Sequence, residues 1–216
     1  MYKLPKLKIS WLRVITFVIA LFALISLAVA SFNICFIRTT VKGSSMYPTL
    51  NHMYEQTNKQ DVVYINRFAD IDKGDVIVLD LTKHPSFGNY TIKRLVATEG
   101  DRVKITLDTS NMEFSLIVNN NVVYVKPYDD GFNTYNSLNQ YIYNHQHDPS
   151  RIVQDENGDN NVIVKKDEIF VLGDNWEMSK DSSLVGPFSI KNIVGRVDIV
   201  VNPNQNELFQ ILKRIF

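Results

Sequence analysis

The chain reads as a mainly β protein behind one N-terminal membrane helix, and three observations predict that class. Residues Val14 to Ile37 form a run of 24 without a charged side chain, long enough to cross a bilayer as a helix. Beyond it come short runs of β-branched and aromatic residues, which mark strands. Gly, Asp and Asn clusters punctuate those runs as turns do.

The N-terminal flank carries Lys3, Lys6, Lys8 and Arg13 with no acid among them, and Trp11 stands where an interfacial aromatic would. Past the run, the nearby basic residues are Arg38 and Lys42. That asymmetry puts residues 1–13 in the cytoplasm as a short tail and residues 38–216 outside it. A cleaved signal peptide competes, because Ala28-Val29-Ala30 has the small-x-small form of a cleavage site. Apolar residues continue through Phe32, Ile34, Phe36 and Ile37, which would bury that site in hydrocarbon and favours a retained anchor over 14–37.

The next elements follow in order. Asp61-Val62-Val63-Tyr64-Ile65 reads as a strand, after an Asn/Gln-rich link. Lys73-Gly74-Asp75 is a turn, and Val76 to Leu79 is a short apolar run suited to a buried strand. Tyr90 to Ala97 is another strand, with Lys93 and Leu95 on one face and Ile92, Arg94 and Val96 on the other. Val103 to Lys126 carries further strand-like runs around an Asn119-Asn120-Asn121 turn. Residues 127–161 are rich in Asn, Asp, Tyr and Gly without sustained periodicity, and Glu156 to Asn160 looks like a hairpin turn. Val162 to Val164, Ile169 to Leu172 and Ile193 to Val201 return to strands. Leu208, Ile211, Leu212, Ile215 and Phe216 stand at helical spacing opposite Lys213 and Arg214, as in an amphipathic terminal helix. The resulting division is a catalytic core in two parts, 38–104 and 166–201, interrupted by an inserted β-rich subdomain at 105–165 and followed by a helix within 202–216.

Composition narrows the chemistry. With 23 basic and 23 acidic residues the formal net charge is zero, and no basic stripe points to nucleic acid. Cys35 is the sole cysteine, which rules out an internal disulfide or thiolate cluster. The pair His145-x-His147 lies in a polar stretch without metal-ligand spacing. The chain is expected to work without metal or cofactor.

Chemistry concentrates in four stretches: Ser45-Met46-x-Pro48-Thr49-Leu50, Gly74-Asp75-Val76-Ile77-Val78, Ile92-Lys93-Arg94 with Gly100-Asp101, and the loop Gly173-Asp174-Asn175 to Ser179-x-Asp181-Ser182 and Gly186. Pro48 places Ser45 and Met46 on a turn or strand end rather than in a helix. In this order behind an anchor, the set resembles the bacterial type I signal peptidases, Ser-Lys proteases that remove signal peptides. The resemblance implies a signal-peptidase/LexA-like β-rich fold, with Ser45 as nucleophile and Lys93 as general base. It makes Ser179 the serine that holds the lysine and Asp181 the acid that supports the loop. It also implies pocket walls at Val41, Gly43, Met46, Leu50, Val78 and Ile92, cleavage after A-x-A, and the signal peptides of exported preproteins and the lipid bilayer as partners.

Physical chemistry fits those roles. A lysine is a base only when neutral, and burial disfavours its ammonium form. Leu95 and Met46 could supply that desolvation, and Ser179 could bond the amine without adding charge. A carboxylate on Lys93 would oppose it, so Asp181 is assigned to structure. Ser45 follows the apolar run by eight residues, which at about 3.5 Å per residue keeps it within roughly 30 Å of the membrane surface.

The sequence departs from the family pattern in places. Gly43 stands where many members carry an oxyanion-hole hydroxyl, beside the Ser45 N–H. Trp176 and Ser183 replace arginines, leaving Asp181 to find backbone N–H groups or Arg94 as partners, and Glu99 replaces a frequent proline. Two other readings compete with the resemblance. A self-cleaving relative of the DNA-damage repressors is disfavoured by the anchor. An inactive or non-enzymatic anchored binding or assembly protein of the same fold is disfavoured by the intact Ser45, Lys93 and Ser179 set.

Overall fold

The computed structural model describes residues 10–52, 58–203 and 205–215. The chain forms two compact units, Met1–Ile37 and Arg38–Phe216. In the first, α1 (Trp11–Cys35) is helical along its length and has no buried residue, as expected of a helix whose apolar surface is meant for lipid. It starts earlier and ends sooner than the uncharged run, because Arg13 is compatible with helix and Phe36 opens a strand.

The second unit holds two antiparallel sheets. The larger has the order β1-β2-β12-β3-β4-β10-β11, built from β1 (Phe36–Thr40), β2 (Val62–Asn66), β3 (Val76–Asp80), β4 (Tyr90–Thr98), β10 (Glu168–Leu172), β11 (Phe188–Ser189) and β12 (Ile193–Val201). Both faces of this sheet are covered. On β3, Ile77 and Leu79 join one core cluster while Val78 joins another with Val41, Met46 and Leu50. On β10, Ile169 and Val171 pack on the first face and Phe170 and Leu172 on the opposite one. Period-two alternation of apolar side chains gives that two-sided burial.

β4 matters most for the site. It pairs with β3 over residues 90–94, but with β10 only from Arg94 to Thr98. Residues 90–93 therefore have an open edge on the β10 side, and that edge, together with Thr39 to Val41 at the end of β1, lines one groove. Four strand spacings of about 4.8 Å separate β1 from β4 along a flat sheet, so the sheet must curl to bring them to the same groove.

The smaller sheet has the order β7-β6-β5-β9-β8 and consists of β5 (Arg102–Asp108), β6 (Glu113–Val118), β7 (Asn121–Pro127), β8 (Ile152–Gln154) and β9 (Asn160–Ile163). The expected turn at 119–121 is the β6–β7 hairpin, with Asn119 and Asn120 at positive φ. The stretch read as irregular holds instead an 18-residue helix, α2 (Tyr128–His145), so the inserted segment is not purely β. Its buried face is Gly131, Thr134, Leu138, Tyr141 and Ile142, a helical stripe partly made of small residues. Two short elements complete the unit: α3 (Ser182–Val185) after β10, and α4 (Glu207–Ile215) after β12.

Candidate active site

Ser45 sits in the turn that leaves β1, half-buried and reachable from solvent. Two devices fix this turn. Asn51 donates its side-chain amide to the carbonyls of Val41 (3.0 Å) and Gly43 (3.1 Å). Its own N–H and side-chain oxygen are held by the fully buried Asp61, at 2.7 and 2.8 Å. From the other side Asn175 donates its N–H to the Ser45 carbonyl at 3.1 Å and its amide to the Ser44 carbonyl at 3.2 Å. Asn51 and Asp61 were not singled out by the sequence. The faint clue was an asparagine directly behind Leu50.

Gly43 has φ +81, a left-handed backbone that a side-chain-bearing residue adopts only with strain. That conformation accounts for the lack of a hydroxyl at this position.

Lys93 lies in the open-edged part of β4. Its Nζ donates to Ser45 Oγ at 2.7 Å. Only 2% of the residue is exposed, because its strand face also carries Leu95 and its cross-strand partner is Ile77. Burial pushes the Lys93 ammonium down from 10.5 to about 8, against the pull of the Asp181 and Asp174 carboxylates, which act to raise it. Desolvation wins over those charges. Arg94 faces the opposite way and grips Asp174 through two hydrogen bonds at 2.8 and 2.5 Å.

The loop after β10 closes the site from below. Asp181 is fully buried and accepts from the N–H of Gly173 (2.9 Å), the N–H of Ser183 (3.0 Å) and the Ser183 hydroxyl (2.8 Å). Of the partners expected for Asp181, backbone N–H groups serve and Arg94 does not. Ser183 itself takes part of the duty of the absent arginine. Ser179 is brought to the site but not bonded to the lysine: its hydroxyl is buried without a hydrogen-bond partner among the described residues. It lies against Gly173, where an added Cβ would collide with Ser179 Oγ and with the Ser45 carbonyl.

Beside Ser45 and Lys93 runs a groove of about 650 Å³, which Val41, Gly43, Met46, Val78 and Ile92 help to line. Leu50 does not line it. That side chain is 2% exposed and belongs to the core beneath the turn. Trp176, 3% exposed, likewise serves packing, in the cluster shared with α2 and the smaller sheet. No group of three or more His, Cys, Asp or Glu able to hold a metal occurs among the described residues.

Comparison with known proteins shows the family of this chain. Residues 9–202 match the family model described as signal peptidase, peptidase S26. Signal peptidase IB of Staphylococcus aureus (strain COL) is 34% identical over 159 residues, which cover 73% of this chain and 73% of that protein. Signal peptidase I P of Bacillus subtilis subsp. natto is 28% identical over 169 residues, 76% of this chain and 75% of that one. A crystal structure of a signal peptidase I from Enterococcus faecalis V583 is 18% identical, with a TM-score of 0.36 over 60% of this chain and 97% of the other. On the match over residues 9–202, this membrane-anchored chain belongs to the signal peptidase family, peptidase S26.

Proposed function

We propose that the chain is a Ser-Lys endopeptidase that cuts signal peptides from exported preproteins after A-x-A, with its N-terminus in the cytoplasm and residues 38–216 outside. The observation that carries this reading is the 2.7 Å contact between Lys93 Nζ and Ser45 Oγ, made by a lysine that is almost wholly buried.

In the neutral form Lys93 takes the Ser45 proton as Oγ attacks the scissile carbonyl carbon. The resulting oxyanion is met by the Ser45 N–H, with no hydroxyl from Gly43. Lys93 then returns the proton to the departing amine, which leaves as the new N-terminus of the mature protein. Water, deprotonated by the same lysine, attacks the acyl-enzyme, and Ser45 recovers its proton as the signal peptide departs. Asp181 holds the loop that carries Ser179, whose hydroxyl makes no bond to the amine in this structure and would have to meet it as Lys93 leaves Ser45 Oγ.

Substrate geometry follows from the open edge of β4. An extended peptide laid along residues 90–93 gains backbone hydrogen bonds as an added strand. Alternate side chains then point into the groove, whose Val41, Met46, Val78 and Ile92 walls suit small apolar residues.

The test is cleavage of a preprotein bearing A-x-A by the full-length protein in detergent. Ser45→Ala and Lys93→Ala are each expected to abolish cleavage, on the order of 10⁴-fold or more, with the fold kept by circular dichroism. Normal cleavage by either variant would sink the proposal.

A further inference from the structure

The family match ends at residue 202, and the chain continues into α4 (Glu207–Ile215), which carries no residue of the site. The first residue of α4 is also its tether. Glu207 accepts from Arg38 Nε at 2.6 Å and Nη2 at 3.4 Å, and from the Tyr64 hydroxyl on β2. Arg38 is the residue immediately after the apolar run Val14 to Ile37. The start of α4 is thus bonded to the residue that directly follows the apolar run.

From there the helix has little freedom. Nine residues at about 1.5 Å each cover only about 14 Å, too short to cross a bilayer. At roughly 100° per residue, the sequence sets Leu208, Ile211, Leu212 and Ile215 on one arc, with Phe209 at its margin and Lys213 beyond. α4 lies against β12, and Ile211 is half-buried. Phe209 nevertheless remains 63% exposed, beside the exposed Lys213. Ile211 is thus partly covered by protein, while Phe209 is left bare.

We propose that this bare surface is a second membrane contact, in which Phe209 enters the headgroup region of the bilayer and Lys213 stays among anionic headgroups. Three observations favour lipid as the occupant. The tether bonds the helix to Arg38, the residue that follows the apolar run, an exposed aromatic side chain matches the interfacial preference of large rings, and the flanking lysine complements an anionic surface. The inference rests on the anchor and does not depend on the roles proposed for Ser45 and Lys93.

The experiment uses the full-length protein reconstituted in vesicles of phosphatidylcholine with phosphatidylglycerol. Phe209→Trp is conservative enough to keep the fold, and its added emission is read as the difference from the parent, which already carries Trp11 and Trp176. The added signal should be quenched by brominated lipids, most strongly when the bromines lie just below the headgroups. Tyr143→Trp, the reference on the exposed side of α2, should be quenched mainly by aqueous iodide. Quenching of the residue-209 signal by iodide alone overturns the proposal. So does protection from both quenchers: if it grows with protein density it means a second copy, and if it does not it means burial on the protein itself. A Ser45→Ala background must give the same pattern, which separates this inference from the peptidase mechanism.

Discussion

At the scale of single residues, the site depends on two opposite uses of burial. Burial favours the neutral amine that the proposed role of Lys93 needs, and it outweighs the opposing pull of two nearby carboxylates. Asp181 spends its oxygens on Gly173 and Ser183, and Asp174 spends its own on Arg94. With a lysine pKa of about 8, the neutral, active form is scarce at low pH and grows about tenfold per pH unit up to that value. We expect kcat/KM to rise with unit slope in a logarithmic pH profile below about 8 and to flatten above it; a profile flat from pH 6 to 8 would contradict this. The same shift affects folding in a definite direction. The native lysine holds its proton less tightly than the unfolded one, whose pKa is near 10.5. Its charge therefore weakens the fold fully below about 8, and the penalty fades as pH rises from there to 10.5. Gly173 shows the complementary use of space. Gly173→Ala must push a methyl into Ser179 and the Ser45 carbonyl, which should lower stability by about 1–3 kcal/mol. A displacement of Ser45 by an ångström should cost roughly 100-fold in kcat. Thermal melts and steady-state kinetics would check both.

At the scale of elements, the inserted segment is a brace for the loop after β10. Thr134 of α2 donates its N–H and hydroxyl to the Trp176 carbonyl at 3.1 and 2.8 Å. Asn133 donates its N–H to the Glu177 carboxylate at 3.1 Å and its side-chain amide to the Glu177 carbonyl at 3.0 Å. Lys126 of β7 donates to the Asp174 carbonyl at 3.1 Å. Trp176→Ala should therefore cost about 3–5 kcal/mol and loosen the loop that carries Asn175 and Ser179, so that kcat falls along with the melting temperature. A melting temperature unchanged from the parent would argue against the brace. The strands around this brace were readable because β-branched runs alternate between two buried faces. Helix α2 was not. Its inward stripe uses Gly131 and Thr134, small residues that carry no hydropathy signal, and only Leu138, Tyr141 and Ile142 look apolar. Gly131 is needed because a side chain there would strike Phe114. Close packing removed the bulk from which periodicity is read. The Asn51–Asp61 clamp was illegible for a related reason, since a buried polar pair looks like loop composition until the fold brings its partners together. Ser45 and Lys93 were legible as a pair only through their motifs, because they are 48 residues apart and meet through sheet curl.

At the scale of the whole molecule, the curled sheet is one strand short where the chemistry happens. β10 leaves β4 at Arg94, and residues 90–93 keep an unmatched edge facing the groove. That edge has a consequence for what can be cut. A helix satisfies its own backbone N–H and carbonyl groups and has none to offer a strand. On the proposed docking along this edge, a signal sequence that is helical in the bilayer would have to unravel its last turns first, and residues that stop a helix ahead of the cleavage point would lower the cost of that unravelling. On that proposal, the missing strand would select for a local failure of helix in the substrate as well as for small side chains beside the bond.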